Sequence, residues 1–514
     1  MGKNETNIVK KSVSISLLVV VGKVLGFIKQ AVIAWAFGSN ALTDVYFAAD
    51  GYTSMFGQIM TQTVGPTVLT QYIHVNERND HEGAKRLVRE SYIFFAVLSF
   101  VLILINTILA DQICSVIGIS YSKDQLSELK FFLMAMLPVI LFTTMIGVSA
   151  GYLDSYNNFL PGRLTSFFFS LSVITVVLLF RNRFGLRSLL YGFMLGYCLH
   201  MVLMLWLVVP KVGIGLTNPF HNPDFTSMMK RFVPLVIGFS AVDLGHLVDK
   251  IVASSLESGS VSSLYYGQVV SSDIVSSVIV TSVGSVLLTS ITKSVASNVS
   301  IIEIKARIRN IMCTMTYIVI GITALYFVEG SDLIRFFFQR GNFDSSNTAT
   351  VSLIAICYSI GFIFTANRDI LVKAHYAFQD TKSPMINSIA GVGINVILSV
   401  ALSKVMGLSG IALATSISMA FVFILSTITL KKHIQGFIIE RSVVLDFLKS
   451  LIVFCITLTY GKVVYSMMQY SNYFLRMTVI GITMCAVHFF SGVAIKEKTA
   501  AIILEKGKKT LFKH

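Results

Sequence analysis

Lys23, Gly26 and Lys29 stand at three-residue steps within GKVLGFIKQAVIAWAF, residues 22–37, a stretch apolar enough to lie in a membrane. On a helix they share one face about 120° wide, with a glycine between the two ammonium groups where a bulky group can approach the backbone. Asp243, His246 and Lys250 recur at i, i+3 and i+7, again on one face, with Asp249 beside them. In a third group, Arg368, Asp369 and Lys373, the last two have the i,i+4 spacing of a helical ion pair. A lysine near the bilayer centre costs roughly 2.5 to 3.5 kcal/mol on insertion scales, so each cation needs a carboxylate neighbour or water. The plainer alternatives are structural pairs, Asp369 with Lys373 or Asp249 with a neighbouring helix, and snorkelling of Lys29 toward an interface. Their accumulation in separate helices points instead to a hydrated, net positive chamber, and such a chamber suits an anion.

Other chemistries fail on context. GVSAG, residues 147–151, matches G-x-S-x-G, but a nucleophile elbow needs a strand-to-helix turn, and this segment lies in an apolar helix where small residues serve packing. The nine histidines include no HExxH and the six cysteines no CxxC. No metal site and no cofactor are expected, although membrane potential, protons or sodium ions could drive a cycle. Connections between spans are short, so no soluble catalytic domain fits, and a transporter is expected rather than an enzyme.

The elements that position these residues are membrane helices. The 514 residues are 54% hydrophobic and 13% charged, with mean hydropathy +0.75, which excludes an ordinary soluble fold. Apolar runs of bilayer length predict an all-α polytopic protein with fourteen spans near residues 12–37, 44–73, 91–110, 130–153, 160–180, 187–209, 231–256, 262–291, 309–328, 348–376, 384–403, 408–430, 443–465 and 473–495. The second, with Asp50, Gln58 and Gln62, and the eighth, with Gln268 and Asp273, are the least apolar, as a wet interior requires. Lys and Arg concentrate in alternate connections, which sets both termini in the cytoplasm. RNRFGLR, residues 181–187, is the exception and has no account from sequence. The net charge of +15 then reflects cytoplasmic flanks facing anionic lipid, not nucleic acid.

Segments from Lys29 and from Asp249, 220 positions apart, share an ionisable pair, an apolar half-turn, a small-residue turn and an aromatic pair, with Val32 over Val252 and Tyr46 over Tyr266. This suggests two halves with a site between them: residues 1–209, residues 210–432, and a C-terminal portion, 433–514, of two helices and a basic tail.

GKVLGFIKQAVIAWAFGSNALTDVYFAAD resembles the opening helix and turn of the MurJ/MviN lipid II flippase family. FVPLVIGFSAVDLGHLVDKIVASSLESGSVSSLYYGQ, FFQRGNFDSSNTATVSLIAICYSIGF, AHYAFQDTKSPM and GLSGIALATSIS are similar to later family segments, in order. The resemblance implies the fold of the multidrug, oligosaccharidyl-lipid and polysaccharide exporter superfamily: two six-helix lobes around a central cavity, plus two helices edging a lipid groove. It implies a flippase carrying an undecaprenyl-diphosphate-linked saccharide to the outer leaflet of the bacterial inner membrane by alternating access, as a monomer with membrane lipids as its other partners. Lys23 and Lys29 stand where the family has arginines, and Asp44 matches its outer-turn aspartate. Lysine lacks the planar fork that grips phosphate bidentately. Gln30 replaces an acidic residue; Gly57, Gln58, Gln62 and Thr63 replace an Arg pair and Glu-Gly; Val269 replaces an arginine. These departures leave room for a polysaccharide repeat unit in place of lipid II, with Lys250 or Arg368 supplying lost charge. A cation-coupled drug exporter of the same architecture is the alternative.

Overall fold

The computed structural model describes residues 21–511 except 23, 157, 214, 216–218, 274–298 and 379. Lys23 and most of the expected eighth span therefore lie outside the described residues. Among the described residues every regular element is helical. α1 (Val24–Phe37) is followed by α2 (Ala41–Asn76), α3 (His81–Ile108), α4 (Ala110–Ile117), α5 (Lys123–Met136), α6 (Val139–Ser155), α7 (Leu160–Arg163), α8 (Thr165–Phe184) and α9 (Arg187–Val212). Next come α10 (Pro223–Ser254) and α11 (Ser260–Gln268), which runs into a π-turn, Val269–Asp273. The remainder is α12 (Ile301–Phe338), α13 (Ser345–Ile360), α14 (Phe362–Ala377), α15 (Lys382–Met406), α16 (Leu408–Ile434), α17 (Arg441–Met467), α18 (Tyr473–Ala494) and α19 (Lys498–Leu511).

Among the described residues nine helical segments, α5 and α6 counted as one, are long and apolar enough to cross a membrane, ten if α13 and α14 are one span bent by 44°. Helix α2 is longer than most of them, with 36 residues, but too polar to be counted with them. The bend has a local cause. Ser416 Oγ donates to Cys357 O at 2.8 Å, and a Cβ on Gly361 would stand 2.7 Å from that hydroxyl oxygen. The hydroxyl thus takes over a carbonyl of the helical ladder just where α16 approaches most closely.

By packing the chain divides into two units, Met1–Ser262 with Arg340–Phe343, and Ser263–Gln339 with Asp344–His514. In the first, Met60, Val64 and Val68 of α2 pack with Phe95 of α3, Ile146 and Val148 of α6 and Met204 of α9. Gly147 and Gly151 make that contact close: a Cβ on Gly151 would lie 2.6 Å from Gly65 O. Ser149, the nucleophile position of GVSAG, is fully buried and bonded to Tyr92 at 2.6 Å, a packing role. Helix α10 belongs to this unit, with Leu247 against Met55 and Ile59. The basic loop near residue 181 also gains an account, since Arg181 lies 3.8 Å over the Trp35 ring and Arg187 4.6 Å over Phe131. Guanidinium groups on aromatic faces anchor that loop independently of membrane orientation. In the second unit Ile304, Ile308 and Met312 of α12 pack with Ile370 and Leu371 of α14 and Leu430 and Ile434 of α16.

Candidate functional site

Three turns of the first unit close on one another around Asp44. The start of α2 is fixed by a capping box, in which Asn40 Oδ1 accepts from the Thr43 amide and Thr43 Oγ1 accepts from the Asn40 amide. That places Asp44 one turn in, 2% exposed, where its carboxylate accepts from the Gly259 amide at 2.7 Å, the Ser262 amide at 2.8 Å and Ser262 Oγ at 2.7 Å. The anion thus satisfies the otherwise orphaned donors at the N-terminus of α11. Ser39 Oγ donates to Gly259 O at 2.8 Å, so the two turns 220 positions apart that opened the suspected repeat touch. The third turn enters through Asn342, whose amide donates to Trp35 O at 3.1 Å and whose Nδ2 donates to Ala36 O at 2.7 Å. Gly341 has φ +57°, and a Cβ there would collide with Trp35 O at 2.4 Å, so only glycine fits. Asp44, expected among the substrate-binding residues, is engaged with backbone and hydroxyl donors as a clasp.

Below the clasp, α2 turns a row of residues outward at four-residue steps. Asp50 and Ser54 are half-buried, Gln58, Gln62 and Thr70 are exposed, and Thr61 lies open beside them. Ser54 Oγ donates to Asp50 Oδ1 at 2.7 Å. Exposed amides and hydroxyls along a bilayer-length helix cannot face hydrocarbon without several kcal/mol of penalty, so this row lines a wet surface. Lys250 of α10 reaches it. Its Nζ donates to Phe47 O at 3.4 Å, and a Cβ on Gly51 would lie 2.5 Å from that nitrogen. Gly51 is therefore the gap through which the ammonium arrives. On α10, Asp243 and Lys250 are half-buried and His246 exposed, whereas Asp249 is 4% exposed. The 243–246–250 face is the open one and Asp249 lies on the packed side. Asp243 Oδ2 is buried with no hydrogen-bond partner among the described residues.

Lys29 is 6% exposed with Nζ 4.0 Å over the Phe169 ring of α8. A Cβ on Gly26 would lie 3.8 Å from Ser170 Oγ. The expected face of α1 thus packs on α8. Arg368, in the second unit, donates from Nη1 to Asp369 Oδ1 at 2.9 Å. Asp369 is thereby bridged by its sequence neighbour. Lys29, Lys250 and Arg368 accordingly have distinct immediate surroundings.

Sequence reasoning missed three features of the second unit. Arg476 of α18 clamps Asp332 of α12 with two bonds of 2.7 Å, both side chains under a tenth exposed, while its guanidinium lies 4.5 Å over Tyr465. Glu329, 2% exposed, sits nearby with neither carboxylate oxygen hydrogen-bonded among the described residues. At the other end of this unit Asp380 receives His375, His433 and Lys432. Burial pushes the Asp380 carboxyl up, but hydrogen bonds from Lys432, His433 and Ser383 overcome it and hold the group well below the usual carboxylate range. A lone arginine in a span was a signal for the first and His375 five residues before Asp380 a signal for the last, but His433 is 53 positions away. Between α12, α14, α16 and α17 lies an apolar cavity of about 230 Å³, walled by Met312, Ile363, Phe364, Phe423 and Phe447, with Asn367 the amide in its lining.

Bilayer-length helices, a long polar helix with open amides and a lysine reaching it define a polytopic membrane transporter fold. The comparisons narrow this. A family model described as Lipid II flippase MurJ matches residues 33–484, and the chain belongs to that family. Among curated relatives, a probable lipid II flippase MurJ of Buchnera aphidicola subsp. Schizaphis graminum is 25% identical over 425 residues, 80% of this chain and 81% of that one. One of Rhizobium tropici is 25% identical over 426 residues, 80% and 79% of the two chains. A solved lipid II flippase MurJ in an inward closed conformation superposes with TM-score 0.80 at 21% identity, covering 94% of this chain and 99% of its own. An inward-facing multidrug resistance MATE family transporter of the MOP superfamily gives 0.70 at 11% identity, with 80% and 94% covered. At such identities these two show the fold.

Proposed function

We propose that this protein is a flippase that carries an undecaprenyl-diphosphate-linked saccharide from the cytoplasmic to the outer leaflet of a bacterial inner membrane. The observation that carries the reading is the open polar row of α2 with Lys250 beside it, a hydrated wall bearing positive charge within bilayer-length helices. Family membership supplies the substrate class, lipid II or a related repeat unit, and a transporter role. The apolar cavity beside α17 suits the prenyl tail, which would stay in contact with lipid while the head group crosses. Helices of residues 1–209 and 210–432 would form the two lobes of an alternating-access monomer with both termini in the cytoplasm. The Asp44 clasp would open for release and re-form afterwards. A pyrophosphate that prefers the closed-over wall supplies the differential binding such a cycle needs. Since Asp44 is saturated by three donors, Asp243, whose Oδ2 has no hydrogen-bond partner among the described residues, is the first-unit carboxylate to take a proton or sodium ion; a charge moved through 100 mV is worth about 2.3 kcal/mol.

Complementation tests the substrate. Cells depleted of their lipid II flippase and expressing this chain should grow, and Lys250→Gln should abolish growth at unchanged membrane expression. Failure of the wild type to rescue would overturn lipid II as substrate, and ethidium efflux by the same cells would favour a drug exporter.

A further inference from the structure

Two histidines and an aspartate that the transport reading does not use converge where α14, the link after it and α16 meet. Asp380 Oδ2 lies 3.0 Å from His375 Nδ1 and 2.9 Å from His433 Nε2, and all three ligand atoms fall within 4.8 Å of one another. Around a tetrahedral zinc ion, with bonds of about 2.0 to 2.2 Å, ligand atoms stand roughly 3.3 Å apart, so only a small adjustment closes this group on a metal. The surroundings are those of a built site. His375 Nε2 lies 3.3 Å from Ser426 O and 3.2 Å from Thr429 Oγ1, which orients the ring, and Asp380 Oδ1 accepts from the Ser383 amide at 3.0 Å. The His433 ring stacks on Phe378, 6° from parallel at 5.2 Å. His375 is fully buried, whereas the His433 side chain is 23% exposed and offers a way in from solvent.

One more group touches the aspartate. Lys432 Nζ bonds Asp380 Oδ2 at 2.8 Å and Ser383 Oγ at 2.7 Å, with its side chain 53% exposed. It is a resident cation on a flexible arm, free to swing into water. We propose that His375, Asp380 and His433 bind a divalent transition metal of the zinc class, which displaces the Lys432 ammonium and leaves a fourth position to water. Two imidazoles and one carboxylate select such an ion over magnesium or calcium, which demand oxygen ligands. Occupied, the site ties the ends of α14 and α16 to the link between α14 and α15.

The test uses tag-free full-length protein in detergent, titrated with Co²⁺ as a spectroscopic probe and then Zn²⁺ in competition, with Mg²⁺ as control. One Co²⁺ per chain should bind with the strong visible absorption of tetrahedral coordination and no near-ultraviolet thiolate band, and Zn²⁺ should displace it. His433→Gln should weaken binding about 10- to 100-fold, and His375→Gln at least as much. Lys432→Met should tighten it several-fold, a gain that a merely structural role for this cluster does not produce. His433 and Lys432 are accessible enough for those variants to fold, as size-exclusion profiles can verify, so they decide the matter even if His375→Gln fails. Absence of stoichiometric binding, binding that survives His433→Gln, or a thiolate band placing the ion on cysteine would each overturn the proposal.

Discussion

In the first unit Lys250 donates to the Phe47 carbonyl beside the open amides of α2, and Lys29 stands over the Phe169 ring. In the second, arginines meet carboxylates: Arg476 is forked onto Asp332, and Arg368 donates a single bond to Asp369. The same physical problem, a charge within bilayer-length helices, is met in two ways. A planar guanidinium matched to a carboxylate is satisfied by protein and holds α12 to α18. Lys250 instead stands beside a polar row that water can reach. The contrast gives the Arg476–Asp332 pair an anchoring role and fits the ligand handling proposed for the first unit's polar face.

The largest effect should come from breaking the anchor. Arg476→Ala or Asp332→Ala leaves a buried charge without its partner and should cost about 3 to 5 kcal/mol, seen as a lower thermal midpoint in detergent and poor accumulation. Arg476→Met combined with Asp332→Leu should recover most of it. Single variants as stable as wild type would erase the contrast.

Next is the clasp. Asp44→Ala strands the Gly259 and Ser262 amides and should cost about 1 to 3 kcal/mol. In a cysteine-free background, cysteines at positions 39 and 262 should cross-link readily, since their hydroxyl oxygens stand 2.7 Å apart; Asp44→Ala should slow that cross-linking.

Gly51→Ala sharpens the comparison from the other side. The new methyl meets only the flexible end of Lys250, so stability should change by about 0.5 kcal/mol or less, while transport falls because the ammonium must move. An unchanged transport rate would separate Lys250 from function.

The smallest effect belongs to the rim of the second unit. Glu440 is bonded to Lys305 and Arg309, each at 2.6 Å, and the Lys305 hydrogen bond and charge, then Arg309, hold its carboxyl below the ordinary range. A depressed carboxyl stabilises the fold at pH above its unfolded value, about 4.3, and loses that contribution as pH falls through the folded value. Glu440→Gln should therefore lower the thermal midpoint slightly at pH 7, and the gap should close on acidification below pH 4.

Much of this architecture was legible because hydropathy is a local property. The run at residues 187–209 became α9, Arg187–Val212, and that at 408–430 became α16, Leu408–Ile434. The polar second span announced its wet face through Gln58 and Gln62. What sequence could not convey depends on contacts across many residues. The bend at Gly361 needs Ser416, the role of Asp44 needs an α11 terminus more than 200 positions away, and Arg476 needs Asp332. Lys29 illustrates a subtler limit. Its helix face was read from spacing, but only packing reveals that Phe169 covers the ammonium.

The central claim is that Lys250 on the polar wall receives a pyrophosphate. Binding of undecaprenyl diphosphate to the purified protein, followed by native mass spectrometry and compared with undecaprenyl monophosphate, tests it without reference to any sugar. The account predicts preferential retention of the diphosphate by wild type and at least a tenfold loss (roughly 1.4 kcal/mol) in Lys250→Gln at unchanged thermal midpoint. Equal diphosphate binding by the two proteins would contradict it.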